Sequence, residues 1–143
     1  MAIVLRAVSD EDVARACEIE FQAYRGQPLS PILAPGPFPP DSGQQRIDQL
    51  LKMRNEDPTA HYLQAFDEET GKMIAFAKWH IFETSEIAQA SSRPLSFGAG
   101  RNEAACMLFF GGMKERKEEL MGNKPHLCTW YRCSKSLSPA IIC

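Results

Sequence analysis

The residues best equipped for chemistry fall into a few groups, each defined by spacing. Gly98-Ala99-Gly100, with Asn102 at a predicted helix start, places bare backbone amides ahead of a helix N-terminus, an arrangement that can cradle phosphate. A dinucleotide fingerprint would need a small residue where Glu103 stands and a strand before Phe97, and a P-loop would need a Lys-Ser/Thr pair. None is there, so an ordinary cap and turn is the favoured reading. Cys128 and Cys133, with Cys143 or His126, assemble on paper into a metal site. Structural zinc uses two tight ligand pairs, and one loose pair with stray partners falls short of that. His61, His80 and His126 lie in or near predicted strands, where a lone histidine is more often packed or hydrogen-bonded than a base. Glu18 and Glu20 read as solvated or helix-pairing charges.

The chain has no Gly-x-Ser-x-Gly elbow, His-Glu-x-x-His helix or Walker loop, which removes the usual hydrolase, metalloprotease and nucleotidase signatures. Its 143 residues, 44% hydrophobic and 24% charged, suit one cored domain. A formal charge of -2 gives no electrostatic reason to seek nucleic acid or an anionic membrane. No apolar run approaches the ~20 residues that span a bilayer, and Met1 to Arg6 do not open a secretory signal. The expected location is intracellular, in the reducing cytoplasm. Cys17 and Cys106, within apolar helical patterns, are expected in the core.

The elements that must position these groups follow from periodicity. Ile3 to Ala7 predicts a strand, and Ser9 is expected to cap a helix to about Tyr24 by accepting from the Asp12 amide. Val13, Ala16, Cys17, Phe21 and Tyr24 are its expected buried face. Prolines 28, 31, 35, 37, 39 and 40 predict an ordered loop without helix or interior strand, its Leu29, Ile32, Leu33 and Phe38 lying against the body. Asp41 or Ser42 caps a second helix that buries Ile47, Leu50 and Leu51 and closes at Asp57-Pro58. His61 to Phe66 and Met73 to Phe82 form a hairpin, with Gly71 available for a positive φ. Strict alternation over the second strand groups Met73, Ala75, Ala77, Trp79 and Ile81 on one face and Ile74, Phe76, Lys78, His80 and Phe82 on the other. Thr84 to Gly100 reads as a loop with a helical piece at Glu86 to Ala90, and Asn102 caps a third helix to about Met121, with Gly111-Gly112 making a kink plausible.

The order strand, helix, proline-rich loop, helix, hairpin, centred on Asp67-Glu68-Glu69-Thr70-Gly71-Lys72-Met73-Ile74-Ala75-Phe76-Ala77-Lys78-Trp79, resembles the first half of a GNAT-family N-acetyltransferase. More narrowly it is similar to the GNAT-like proteins common in filamentous fungi. Ala16-Cys17-Glu18-Ile19-Glu20-Phe21, Pro35-Gly36-Pro37-Phe38-Pro39-Pro40 and the stretch from Phe109 to His126 fit the same pattern, so the likeness covers about Met1 to Leu127.

The resemblance implies an α/β (α+β) fold, the N-terminal half of a GNAT domain, with a mainly antiparallel sheet of three to four strands and three helices. It implies acetyl transfer from acetyl-CoA to a small-molecule or peptide amine. The amine would approach Phe21, Tyr24, Pro28, Phe38, Trp79 and His80. Family members hold acetyl-CoA by a Gln/Arg-x-x-Gly-x-Gly/Ala turn that has no counterpart in this sequence. Little binding of that cofactor, and a chain inactive alone, are therefore expected. Residues 128–143 depart from the pattern and are expected to be a poorly ordered tail, read from a shifted frame or a retained intron. The competing expectation is a non-enzymatic module that self-associates through an exposed sheet edge.

Overall fold

The computed structural model describes residues 2–90 and 94–134. The elements run in the order β1 (Ile3–Ala7), α1 (Val13–Tyr24), α2 (Ser30–Leu33), α3 (Ser42–Glu56), β2 (Ala60–Asp67), β3 (Lys72–Phe82), α4 (Ser85–Ala90), α5 (Glu103–Met121) and β4 (His126–Ser134). The four strands form a mixed α/β protein's single sheet in the order β1-β2-β3-β4, with β1–β2 and β2–β3 antiparallel. The chain divides into two compact units, Met1–Arg25 with Asp41–Ile81 and Leu127–Cys143, and Gly26–Pro40 with Phe82–His126.

The core of the first unit joins Val8, Val13, Ala16, Cys17, Ile19 and Leu50 to Tyr62, Met73 and Phe76, so α1 and α3 cover one face of the hairpin. The Tyr62 hydroxyl donates to the Leu50 carbonyl at 3.1 Å, and its ring meets Phe76 edge-on at 5.5 Å. Ile47 and Leu51 pack partly buried beside Leu50, as the helical spacing predicts. Phe21 departs from its expected place and is 56% exposed. At 100° per residue it lies roughly 80° around the helix from Val13, on the shoulder of the buried stripe, whereas Ala23 and Tyr24 reach the core.

The start of α1 also differs from expectation. Ser9 donates from its hydroxyl (2.9 Å) and its amide (3.3 Å) to the Asp12 carboxylate, and its backbone carbonyl, not its hydroxyl, accepts from the Asp12 amide at 3.1 Å. Asp12 accepts a further bond from Gln64 Nε2 at 2.6 Å, which ties this turn to β2.

A register shift between Ala65 and Phe66 pairs Ala65 with Ala75 and Phe66 with Met73, leaving Ile74 as the extra residue. This bulge corrects the strict alternation read from sequence. Met73 (4% exposed) joins Phe76, Lys78, His80 and Phe82 on the buried face, while Ala75, Ala77, Trp79 and Ile81 take the other. β3 is internal in the sheet, and Gly71 turns the hairpin at φ 65°.

In the second unit, the proline-rich segment contains α2, which its six prolines were expected to exclude. Pro31 falls in the first turn, where no amide is required of it. Leu29, Ile32 and Phe38 are 46%, 54% and 50% exposed, more open than expected. α5 begins as predicted, with Asn102 Oδ1 accepting from the Ala105 amide at 3.2 Å. Cys106 is fully buried, its thiol 3.3 Å from the Leu33 carbonyl.

β4 continues past Leu127 to Ser134, and Thr129 Oγ1 donates to the Lys78 carbonyl at 3.0 Å. The segment set apart as a tail thus begins within the sheet, and residues 135–143 lie outside the described residues.

Candidate functional site

In the first unit a polar constellation is buried where α3 hands the chain to β2. Asp57 caps the end of α3, and its Oδ1 accepts from the Thr59 amide (3.0 Å) and hydroxyl (2.7 Å). Thr59 Oγ1 lies 2.9 Å from His80 Nδ1, and Asp57 Oδ2 lies 3.6 Å from the same nitrogen. Asp57, Thr59 and His80 are each less than 9% exposed. The hydroxyl has one proton, and the carboxylate at 2.7 Å claims it, so Nδ1 is the imidazole atom that donates to Thr59. The relay fixes the tautomer of His80 and places negative charge behind it. It also locks the strand ends, since the Ile81 amide donates to the Thr59 carbonyl at 2.9 Å. Because the Thr59 proton is committed to Asp57, Thr59 is not arranged as a nucleophile.

Phe21 and Tyr24 lie on α1, one exposed and one half-buried against the core. Trp79 is half-buried on the sheet face opposite the one that α1 and α3 cover. The sheet therefore separates Trp79 from His80, Phe21 and Tyr24. Pro28 and Phe38 belong to the second unit, where both are exposed.

Sequence reading missed the ion pair of Glu20 with Arg46. It is bidentate, at 2.7 and 3.3 Å, and both side chains are mostly buried. Glu18, by contrast, pairs with Arg15 along its own helix, as expected. The missed partners are 26 residues apart and no local spacing couples them.

The Gly98–Gly100 turn was the candidate anion cradle, and its own chain engages the Gly100 end of it, while the space at Gly98 is open. The Gly100 carbonyl accepts from the Gly36 amide at 2.9 Å, and the Asn102 amide donates to the Leu33 carbonyl at 3.0 Å. A Cβ at Gly100 would stand 2.6 Å from Phe38 Cδ1 and 2.9 Å from the Pro37 carbonyl oxygen. The Asn102 amide and the space above Gly100 are thus committed to the chain itself and not to the diphosphate of acetyl-CoA. Among the described residues no group of three His, Cys, Asp or Glu can hold a metal ion, and no helix is long and apolar enough to cross a membrane. His61 is exposed, and His126 donates from Nδ1 to the Lys124 carbonyl at 2.7 Å and packs on Phe82.

The second unit also contains a groove of about 530 Å³ between α2 and α5. Leu29, Ile32 and Leu33 form one wall, and Leu108, Phe109 and Met113 the other. Gly112 opens its floor, since nothing lies within 4 Å of where its Cβ would be.

No family model matches this chain, and no curated protein matches it. Among solved structures it is similar to one described as a histone acetyltransferase HPA2 and related acetyltransferase from Corynebacterium glutamicum, at 14% identity and a TM-score of 0.49. That likeness covers 95% of this chain and 62% of the other, so this chain spans less than two thirds of that protein's length.

Proposed function

We propose that the chain carries the acceptor side of a GNAT-like N-acetyltransferase, whose reaction moves an acetyl group from acetyl-CoA to an amine. One observation carries the reading. β1, α1, the loop holding α2, α3 and the β2–β3 hairpin follow one another as the resemblance implies, with α1 and α3 on one face of the hairpin. In this reading an amine is received in the first unit by Phe21 and Tyr24 on α1, with His80 buried behind them. His80 is the residue best placed to influence a proton, because Thr59 and Asp57 hold its tautomer. In this reading the donor finds little grip here, since the sequence carries no counterpart of the family's cofactor turn and Phe38 packs against Gly100, and positioning supplies much of an enzyme's rate enhancement. The chain alone therefore transfers little or no acetyl group.

The test pairs two measurements on the purified chain. Titration with aliphatic and aryl primary amines, followed by NMR, is expected to shift the ring signals of Phe21 and Tyr24, with no thiol released when acetyl-CoA is added. Amines that leave those rings unchanged would overturn the acceptor role, and steady thiol release would overturn the missing donor grip.

A second reading has its own observation: β1 is an outermost strand, and its Ile3 and Leu5 are 45% and 76% exposed. An open strand edge beside apolar side chains favours pairing with another chain. Concentration-dependent oligomers abolished by Leu5→Lys, with no amine response, would favour this interaction module.

A further inference from the structure

Resting on the reading of β1 as an open interaction edge, we infer that its partner is a second copy of this chain, added β1 to β1 in an antiparallel register centred on Leu5. Hydrogen-bond parity fixes which groups are on offer. The Val8 amide donates to the Tyr62 carbonyl at 3.1 Å and the Glu68 amide to the Ala2 carbonyl at 3.0 Å, in step with the ladder that pairs Val4 with Phe66 and Arg6 with Gln64. Val4 and Arg6 therefore turn their main-chain groups to β2, and Ile3, Leu5 and Ala7 turn theirs outward. The Ala7 carbonyl accepts from Gln64 Nε2 at 3.2 Å and keeps a second lone pair. All three residues are exposed. The strand has no proline, and its one charged side chain, Arg6, lies over the Phe66 ring of its own sheet at 3.7 Å, so the usual guards against strand addition are missing.

The strand is complementary to itself, which selects the occupant. A two-fold axis through Leu5 and perpendicular to the sheet sets Leu5 opposite Leu5 and Ile3 opposite Ala7, so every outward residue finds a partner. A shift of two residues either way leaves only two such rows within the strand, and one of the shifts sets Arg6 directly against Arg6. In the centred register Arg6 faces Val4 instead. Leu5 (76% exposed) and Ile3 (45%) of the two copies then meet on one face and continue the apolar row of Leu63 and Ala65 across the junction. A five-residue strand covers less than a standard interface, so the dimer is expected to be weak, with a dissociation constant on the order of 100 μM.

The test uses the full chain. Sedimentation equilibrium from about 10 μM to about 1 mM is expected to show monomer and dimer exchanging. Leu5→Pro removes an amide that points away from β2, so the β1–β2 ladder stays whole while the dimer weakens by about tenfold or more, and a melting curve checks that the variant folds. The register is read by mixing a Val4→Cys chain with an Arg6→Cys chain under mild oxidation. Those positions form a facing pair without hydrogen bonds, about 4.5 Å apart between Cα atoms and within disulfide reach. Peptide mass mapping should find position 4 of one chain linked to position 6 of the other, with neither variant linking to itself there. A chain that stays monomeric at about 1 mM would overturn the second copy as partner and leave the open edge available to a different strand. A dimer unmoved by Leu5→Pro would overturn the open-edge reading together with the inference. A dimer that Leu5→Pro weakens but that links no position 4 to position 6 would overturn the register alone.

Discussion

The Thr59 hydroxyl stands 2.9 Å from Nδ1 of His80 and links that strand residue to the Asp57 carboxylate at the end of α3. One side chain thus serves a strand, a helix cap and the tautomer of the imidazole. Thr59→Val removes the hydroxyl while keeping the shape, leaving buried polar groups unmatched at a cost of about 1–3 kcal/mol. Thr59→Ser should restore most of the loss. Urea denaturation with an unchanged slope checks both.

The Glu20–Arg46 pair predicts non-additive stability. Its side chains are 12% and 20% exposed, so removing one partner strands a charge in a mostly buried setting. Glu20→Gln should cost about 2 kcal/mol, between the values for exposed and fully buried pairs. Adding Arg46→Met should recover part of that loss. A double-mutant cycle measures the coupling, and purely additive losses would contradict it.

Two glycines should respond with opposite sign. Gly100 has φ +82° and no room for a Cβ against Phe38, so Gly100→Ala should destabilise by about 2 kcal/mol or more. Gly112 is helical with open space, so Gly112→Ala should stabilise by up to about 1 kcal/mol. Paired melting curves of the two variants test this directly.

Stability should fall at both ends of the pH scale. Burial works to raise the Asp12 carboxyl, but hydrogen bonds from Gln64 and Ser9 and the charge of Arg6 outweigh it, and its pKa lies below the ordinary value. A depressed native pKa adds stability above the unfolded value of about 3.9, lost as pH falls through the native one. Burial, reinforced by Glu20, pushes the Cys17 thiol up to about 11, and burial pushes Tyr62 up to about 12. Both are neutral in the fold, so their contribution is present below the unfolded values of about 8.5 and 10 and is lost as pH rises toward 11 and 12. Melting temperature should therefore be level between about pH 5 and 8, and Asp12→Asn should flatten the acid limb.

What was legible in the sequence was local. Asn102 announced α5, Gly71 the hairpin turn, and Leu50 with its helical neighbours the buried stripe, because each signal lies within a few residues of its consequence. The bulge at Ile74 was hidden, since nothing in Met73-Ile74-Ala75 marks the extra residue and the pairing partner decides it. The same holds for the site. His80 was singled out, yet its relay depends on Thr59, which is 21 residues away. Phe38 was read as a contact surface and instead also fills the space above Gly100, a packing fact that spans two loops.

The most direct measurement is an NMR titration of the isotope-labelled full chain with acetyl-CoA, observing the backbone amides of Gly98, Gly100 and Glu103. The account predicts that these amides stay unmoved at saturating nucleotide, because Phe38 and the Gly36 amide already engage Gly100 and the Asn102 amide is bonded to the Leu33 carbonyl. Saturable shifts confined to those three amides would contradict it.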